Sequence, residues 1–563
     1  MIKFEGSDAA DIEICGSALR TLPMVLNRQM IKILEDLYVP GESFLRLQAD
    51  AVERLRMTTL SAINAASFFE RNFIGKAARL PWLIRKLWSL GFSFTMDDFL
   101  RDTLELAVLV QLRELKYRSR IRVEKGVTVY GIMDETGHLK EGEVYCSVVT
   151  EEVGRIITGR VVVTRSPALH PGDIQCVRAV DVPDDSPLRA LHNVLVFSSH
   201  GQRDLPSQLS GGDLDGDLYN VIYDETLYPK RLSEPADYPR QPPQDIGRTV
   251  EKSDMTDFFI KFMENDNLGQ IATLHQILAD QSNLGTCDRQ CISLAGMHST
   301  AVDFSKTGIP VDFKQLPRYP KWRPDFQAPG PRVVIEKTID LLDQNPSSPD
   351  DEDPELEEVA GYGPPKHRYY ESPKILGRLY RDIDEYQVLG HIKQQSKALG
   401  AQANQTNSLA NAVWKYISDK TALIQWRHHM EFAKDVKESY EESLVDTMIQ
   451  YSNHPFRPVS EIEVFAGSIL GKSGSQSKRQ REFSIGMKEK HERDVAYIKA
   501  WITQGEEGNG GAEALERSIA CLYVACNTAR VRRRVGELKS FVWIAAAVCL
   551  REVEKLPGAE VLL

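Results

Sequence analysis

The sequence predicts an α+β protein in which a closed β-barrel is set between large, mainly helical regions. Three observations carry that expectation. From Leu26 to about Lys116, apolar residues recur at three- and four-residue spacing, as on the buried stripe of a helix. From about Arg120 to Asp224 the pattern becomes short runs of Val, Ile and Tyr alternating with polar residues and broken by turn signals. After a proline-rich stretch the helical spacing returns and dominates to the C-terminus.

The helical part begins with LNRQMIKILEDLYV and PWLIRKLWSLGF. FTMDDFLRDTLELAVLVQLRELKYR follows, with Asp97 and Asp98 in its first turn and Arg113, Lys116 and Arg118 in its last, where they complement the helix dipole. In IRVEKGVTVYGIMDETGHLKEGEVYCSVV the turns are DETG and KEGE. GRVVVTRSPALHPGDIQCVRAVDV, LHNVLVFSS and LYNVIYD continue the series to six or so short strands, a density of turns that fits a closed barrel better than an open sheet. Beyond DETLYPKRLSEPADYPRQPPQ the helices resume. They are interrupted by a loop, GIPVDFKQLPRYPKWRPDFQAPGP, and by a basic segment, GSILGKSGSQSKRQREF, read as a mobile loop. No repeat of solenoid length is present. The expected divisions are 1–25, the remnant of a preceding region; 26–118, helical; 119–235, the barrel; 236–335, a helical neck; 336–368, an acidic linker; and 369–563, a helical head.

The bulk numbers exclude several classes. With 563 residues the chain has length for roughly three or four domains. Its 42% hydrophobic and 26% charged content is ordinary for soluble globular protein. The net charge of −11 does not advertise a nucleic-acid binder, but part of it is local. Asp350, Asp351, Glu352, Asp353, Glu355, Glu357 and Glu358 form one solvated acidic run. The eight cysteines lack the paired spacing of a zinc site and read as buried, reduced thiols. The amino end has no signal-peptide core, and the longest apolar run, Phe541 to Leu550, is too short to span a bilayer. An intracellular, soluble protein without membrane partners is expected, in nucleus or cytoplasm.

The stretch SQLSGGDLDGDLYNVIYD, Ser207 to Asp224, is where chemistry concentrates. On an extended strand Asp213, Asp215 and Asp217 would point to one face. Three carboxylates so crowded raise one another's pKa and call for a cation, for which a hard divalent ion is the obvious candidate. A calcium loop wants Gly at its sixth position and Glu at its twelfth, which here are Leu218 and Asp224. The aspartyl nucleophile of haloacid-dehalogenase-like enzymes needs a buried strand before it, and Pro206 to Gly212 supply none. A solvated surface turn sits poorly beside Leu209, Leu214, Leu218 and Val221. A metal site for nucleotidyl transfer fits best. One ion lowers the pKa of an RNA 3′-hydroxyl, and a second, arriving with the triphosphate, stabilises the leaving oxygens. Gly211, Gly212 and Gly216 would give backbone freedom and leave room for phosphate and primer.

LSGGDLDGDLYNVIYD resembles the active-site loop of the cellular RNA-directed RNA polymerases of RNA silencing, in their fungal branch. VYGIMDETGHLKEGEVY (Val129 to Tyr145), TRSPALHPGDI (Thr164 to Ile174), NDNLGQIATLHQILAD (Asn265 to Asp280), LAGMHSTAVDFSKTG (Leu294 to Gly308) and YESPKILGRLYRDID (Tyr370 to Asp384) resemble further segments of that family. The resemblance implies a double-psi β-barrel whose Asp213, Asp215 and Asp217 hold catalytic Mg2+, with Mn2+ as the substitute. It implies that Arg165 meets the sugar of the incoming nucleotide, with Pro167 fixing the backbone. His170 reads equally as a brace or a substrate contact, and Lys306 as a phosphate contact or a helix end, while Asp303 reads as structural. Arg530, Arg532, Arg533 and Arg534 read as an exposed basic helix face.

The implied function is RNA-directed RNA synthesis from ribonucleoside triphosphates on a single-stranded RNA template, giving double-stranded RNA for silencing. Other silencing proteins and a second copy of the chain are the further partners considered. The family also carries a first barrel N-terminal to the helices that begin near Leu26, and Met1 to Gly16 looks like the tail of that region. A fragment or a shortened form is therefore expected. The rival reading is a truncated, non-catalytic RNA-binding or scaffold relative.

Overall fold

The computed structural model describes residues 17–150, 153–238, 242–243, 245–264, 268–312, 315–328, 335–336, 367–401, 408–452, 457–470, 474, 476–505, 512–528, 531–532 and 535–556. The chain opens with a short strand, β1 (Leu22–Val25). Five helices follow, α1 (Arg28–Asp36), α2 (Gly41–Arg56), α3 (Ala62–Arg71), α4 (Leu80–Ser89) and α5 (Asp98–Arg118). The Asp97 side chain caps α5 by accepting from the Leu100 amide, as the acidic first turn anticipated.

Seven strands come next: β2 (Arg122–Met133), β3 (Glu143–Thr150), β4 (Val153–Ile157), β5 (Gly159–Arg165), β6 (Ile174–Ala179), β7 (Val194–Phe197) and, after the short α6 (Leu205–Gln208), β8 (Leu218–Ile222). Six of them close on themselves in the order β2-β7-β3-β6-β5-β8, because β8 pairs back onto β2. Two of the pairings, β2 with β7 and β3 with β6, are parallel, and β7 lies between β2 and β3, which are consecutive in the chain. This is the closed barrel expected, crossed in the manner of a psi motif. β1 and β4 extend its edges by pairing with β2 and β3.

The run Val161-Val162-Val163 shows why a barrel strand here does not alternate apolar with polar. Val161 and Val163 enter the barrel core with Tyr219 and Val221, whereas Val162 packs with the helical core. A wall covered on both faces reads as continuously apolar. Inside the barrel, Phe197 and Tyr219 meet edge to face with centroids 4.7 Å apart. They can do so because Gly131 of β2 has no side chain: a Cβ there would collide with the Tyr219 ring and lie 2.8 Å from Phe197 Cε2.

Beyond the barrel come α7 (Lys252–Glu264), α8 (Leu268–Gln281), α9 (Arg289–Val302) and α10 (Phe304–Thr307), then strands β9 (Trp322–Pro324), β10 (Ile335–Glu336) and β11 (Arg368–Tyr370). These strands form a small parallel sheet within what the sequence presented as a loop and a linker edge; they are too short to show a period. The acidic run itself lies outside the described residues. The remaining helices are α11 (Ile375–Asp382), α12 (Glu385–Ala401), α13 (Leu409–Lys420), α14 (Met430–Gln450), α15 (Glu461–Ala466), α16 (Lys478–Gln504), α17 (Ala512–Asn527) and α18 (Ser540–Glu554).

Two expectations are corrected. From Lys478 the supposed basic loop is helix, started by a capping box of Ser477 and Gln480. Arg532 lies on a two-residue strand, β12 (Val531–Arg532), paired with β13 (Gly536–Glu537), and not on a helix face; Arg530, Arg533 and Arg534 lie outside the described residues. The apolar run at Phe541 to Leu550 is the centre of α18, a helix buried nearly all round. Among the described residues no helix is long and apolar enough to cross a membrane. Cys146, Cys291, Cys521 and Cys549 are buried as read, while Cys287 is exposed. The early and late helices share one core: Lys116 donates to the Ile383 carbonyl at 2.7 Å, and Trp543 Nε1 to Asp97 at 3.1 Å.

Replacing Gly131 with Ala forces the Tyr219–Phe197 pair apart, and we expect a loss of ~1–3 kcal/mol in denaturant unfolding. Gly154→Ala on β4, where a Cβ would meet nothing within 4 Å, is the matched control and should leave the midpoint unchanged.

Candidate functional site

Asp213, Asp215 and Asp217 do come together: among the described residues their carboxylate oxygens lie within 4.8 Å of one another. The expected reason does not hold. They sit on the loop that precedes β8, not on a strand. The chain turns through left-handed backbone at Ser210 (φ 52°), Gly211 (φ 69°), Leu214 (φ 61°) and Gly216 (φ 119°). Leu214 takes a conformation costly for a branched side chain, and its packing against the barrel core holds it there. That reversal between Asp213 and Asp215 turns both toward one point.

Each acid is held differently. Asp217 is the fixed one. Its Oδ1 pairs with Arg165 Nη2 at 2.7 Å, its Oδ2 accepts from the Asp213 amide at 3.1 Å, and its carbonyl accepts from the Gly131 amide at 3.1 Å. Asp213 and Asp215 instead share the Lys306 ammonium, at 3.1 and 3.0 Å from their Oδ2 atoms. Burial pushes the Asp213 carboxyl up, but hydrogen bonding and charge from Lys306, with a bond to Asp215, leave it below the ordinary carboxylate value. The Lys306 ammonium is correspondingly raised by its bonds to Asp215 and Asp213. Lys306 reaches both acids from the end of α10, where Gly308 closes the helix in left-handed conformation.

Arg165, at the end of β5, also donates from Nη1 to the Ser210 carbonyl at 2.9 Å, so both terminal nitrogens are committed to the loop. Pro167 contributes its carbonyl, which accepts from Ser210 Oγ at 2.6 Å. The His170 ring is buried and accepts from the Gly172 amide at 3.0 Å, and burial lowers its pKa. The glycines divide. Gly211 and Gly216 serve conformation, and a Cβ on Gly216 would meet nothing within 4 Å. Gly212 has ordinary φ, and its missing Cβ makes room for the Tyr219 hydroxyl and the Pro206 carbonyl. The Asp303 carbonyl accepts from the Lys306 and Thr307 amides.

One residue central to the site was not singled out beforehand. Asp173 accepts four hydrogen bonds, from the amides of Leu169 (3.1 Å), His170 (3.0 Å) and Ser210 (3.1 Å) and from the Tyr238 hydroxyl (2.6 Å). It ties the His-Pro-Gly-Asp turn to the aspartate loop. Burial pushes it up to about 6 in spite of those donors. The segment's Asp was visible in the sequence, but nothing in a linear pattern reveals a link to Ser210.

The donor set suits a hard divalent cation, since all three ligands are carboxylates. Asp213 Oδ1 is moreover buried and accepts no hydrogen bond, leaving an acceptor the protein does not itself satisfy.

A family model described as RNA dependent RNA polymerase matches residues 1–383. The probable RNA-dependent RNA polymerase 1 of Oryza sativa subsp. japonica is 28% identical over 526 residues, 93% of this chain and 62% of that protein. RNA-dependent RNA polymerase 1 of Arabidopsis thaliana is 30% identical over 468 residues, covering 82% of this chain and 37% of its own length. RNA-dependent RNA polymerase 1 of Schizosaccharomyces pombe is 32% identical over 328 residues, 54% of this chain and 26% of its own. The chain thus spans less than two thirds of the length of these relatives. The solved RNA dependent RNA polymerase QDE-1 from Thielavia terrestris aligns with a TM-score of 0.49 at 18% identity, over 97% of this chain and 58% of that one.

Two outcomes are expected. Asp173→Asn places an amide NH2 against at least one backbone N–H, and should cost ~2–4 kcal/mol in denaturant unfolding. Lys306→Met should raise the Asp213 pKa, read by carboxyl-carbon NMR. In the wild type the folded value lies below the ordinary 3.8, so Asp213 stabilises above that pH and its contribution is lost as pH falls through the folded value. In Lys306→Met the gap between the folded and unfolded values should narrow, so less stability should be lost on acidification.

Proposed function

Since this chain belongs to the RNA-dependent RNA polymerase family, we propose that Asp213, Asp215 and Asp217 form its nucleotidyl-transfer centre. The reaction is extension of RNA from ribonucleoside triphosphates along a single-stranded RNA template, with double-stranded RNA for silencing as product. The observation that supports it is the convergence of the three carboxylates within 4.8 Å on a loop fastened to a closed barrel. A non-catalytic scaffold would have no use for three acids so expensively confined.

Asp213, Asp215 and Asp217 would hold Mg2+, with Mn2+ as the substitute. The bound ion supplies the charge that lowers the pKa of a 3′-hydroxyl and offsets that of departing pyrophosphate. The chain's own residues do the positioning. Arg165, committed to Asp217 and Ser210, keeps the fixed acid in place, and any contact it makes with a ribose comes from the same guanidinium. Lys306, more than half exposed, is the cation able to leave Asp213 and Asp215 for triphosphate oxygens. Pro167, His170 and Asp173 hold the turn behind the loop, and Gly216 leaves its solvent side open to substrate.

Labelled-nucleotide incorporation on single-stranded RNA with magnesium tests this reading. Template-dependent product is expected from the chain, with a loss on the order of 100-fold or more in Asp215→Ala. Equal activity in the two would overturn the assignment of the triad. No product from either would overturn it for this chain acting alone.

A further inference from the structure

Far from the aspartate loop, a second set of side chains converges. His428 and His429 end a single 3-10 turn, Arg427–His429, that leads into α14, and Glu516 lies on α17. His428 Nε2 stands 3.3 Å and His429 Nε2 3.6 Å from the same oxygen, Glu516 Oε2. Among the described residues these three and the aspartate triad are the groups whose ligand atoms all lie within 4.8 Å of one another.

We propose that His428, His429 and Glu516 form a binding site for a zinc-like divalent transition-metal ion that ties the start of α14 to α17. The donor chemistry differs from that of the triad: two imidazoles and one carboxylate suit Zn2+ and its neighbours, where three carboxylates suit Mg2+. The spacing also fits. Tetrahedral zinc with nitrogen and oxygen ligands at 2.0–2.2 Å sets its donors roughly 3.4 Å apart, close to the two separations observed. Successive side chains on a tight turn normally diverge, yet here the two rings lie 4.0 Å apart between centroids, tilted by 42°, and aim at one atom. His429 Nε2 is buried and makes no hydrogen bond, so the site contains a ligand atom the protein leaves unsatisfied.

The neighbouring cation does not fill the place. Arg517 is turned away, its guanidinium donating to the carbonyls of Ile502 at 2.9 Å and Thr503 at 3.0 Å and pairing with Glu513 at 2.8 Å. Burial, with His428 and Arg517 nearby, holds the His429 imidazole below its ordinary pKa, the neutral form that binds metal. His428 is 59% exposed, so ions can enter from solvent and a fourth position is accessible to water. The role is structural. The site borders the packed rings of Trp414, Trp426 and Tyr523, which join α13 and the approach to α14 with α17.

The probe is zinc chloride added to chelator-stripped chain carrying Asp213→Asn, which removes uptake by the triad. One zinc per chain at micromolar concentration and a melting temperature raised by a few degrees are expected. His428→Ala, exposed and therefore tolerable to the fold, and Glu516→Gln, of equal shape, should each weaken zinc binding by about tenfold or more, the least that loss of a direct ligand should cost. Both should abolish the thermal shift while leaving the zinc-free melting temperature within a degree or so of the parent. No uptake by the parent, uptake by both variants equal to the parent's, or loss in only one of them overturns the three-ligand assignment.

Discussion

Three carboxylates confined within 4.8 Å repel one another, so the loop that carries them needs counter-ions to hold its shape. Two cations make it possible, and they come from different parts of the chain. Arg165 arrives from the end of β5 and Lys306 from α10, after the barrel is complete. The charge balance therefore does more than stabilise a loop. It fastens the helices that follow the barrel to the barrel's own mouth.

Sheet register decides that the first of these cations can reach. Arg165 lies opposite Tyr219 in the β5–β8 pairing, which places it beside Asp217, two residues earlier. β8 can take that register because it is enclosed between β5 and β2 in a closed wall, where a slip would turn Tyr219 and Val221 out of the core. The Tyr219 ring fits inside only because Gly131, two residues along β2 from its register partner Val129, has no side chain, and its hydroxyl rests where Gly212 has none. Asp173 completes the arrangement by anchoring the Ser210 amide. The loop's conformation is thus inherited from apolar packing inside the barrel and passed to the acids through backbone contacts.

How much of this was legible depends on range. The barrel could be read because its strands are local patterns, although Val161-Val162-Val163, buried on both faces, departs from the alternation expected. The triad was visible as residue types, but its geometry was misattributed. Strand alternation brings acids to one face by repetition, whereas here a left-handed Leu214, held by core packing, reverses the chain between two of them. Lys306 could be named but not placed, because nothing near position 306 encodes a contact with position 213. The same holds for Asp173 with Ser210, and for His428 and His429, whose adjacency is plain while Glu516 is supplied by helix packing alone. Strands β9 to β11, at two or three residues each, are fixed by their neighbours and carry no period of their own.

The two cations of the aspartate loop are not equivalent, and the difference is energetic. Arg165 and Asp217 are mostly enclosed, with 16% and 11% of their side chains exposed. Separating them would strand a buried charge on each side, a loss of several kcal/mol. Lys306 and Asp215 are each 57% exposed, and a solvated pair of that kind contributes only ~0.2–1 kcal/mol. A divalent cation competing for these oxygens would therefore displace the lysine and leave the arginine where it is. Asp217 then acts as the fixed point against which the other two acids adjust, and Asp213, with one oxygen buried and unsatisfied, gains most from the exchange. A loop with one locked and one exchangeable counter-ion keeps its shape while its charge partner changes.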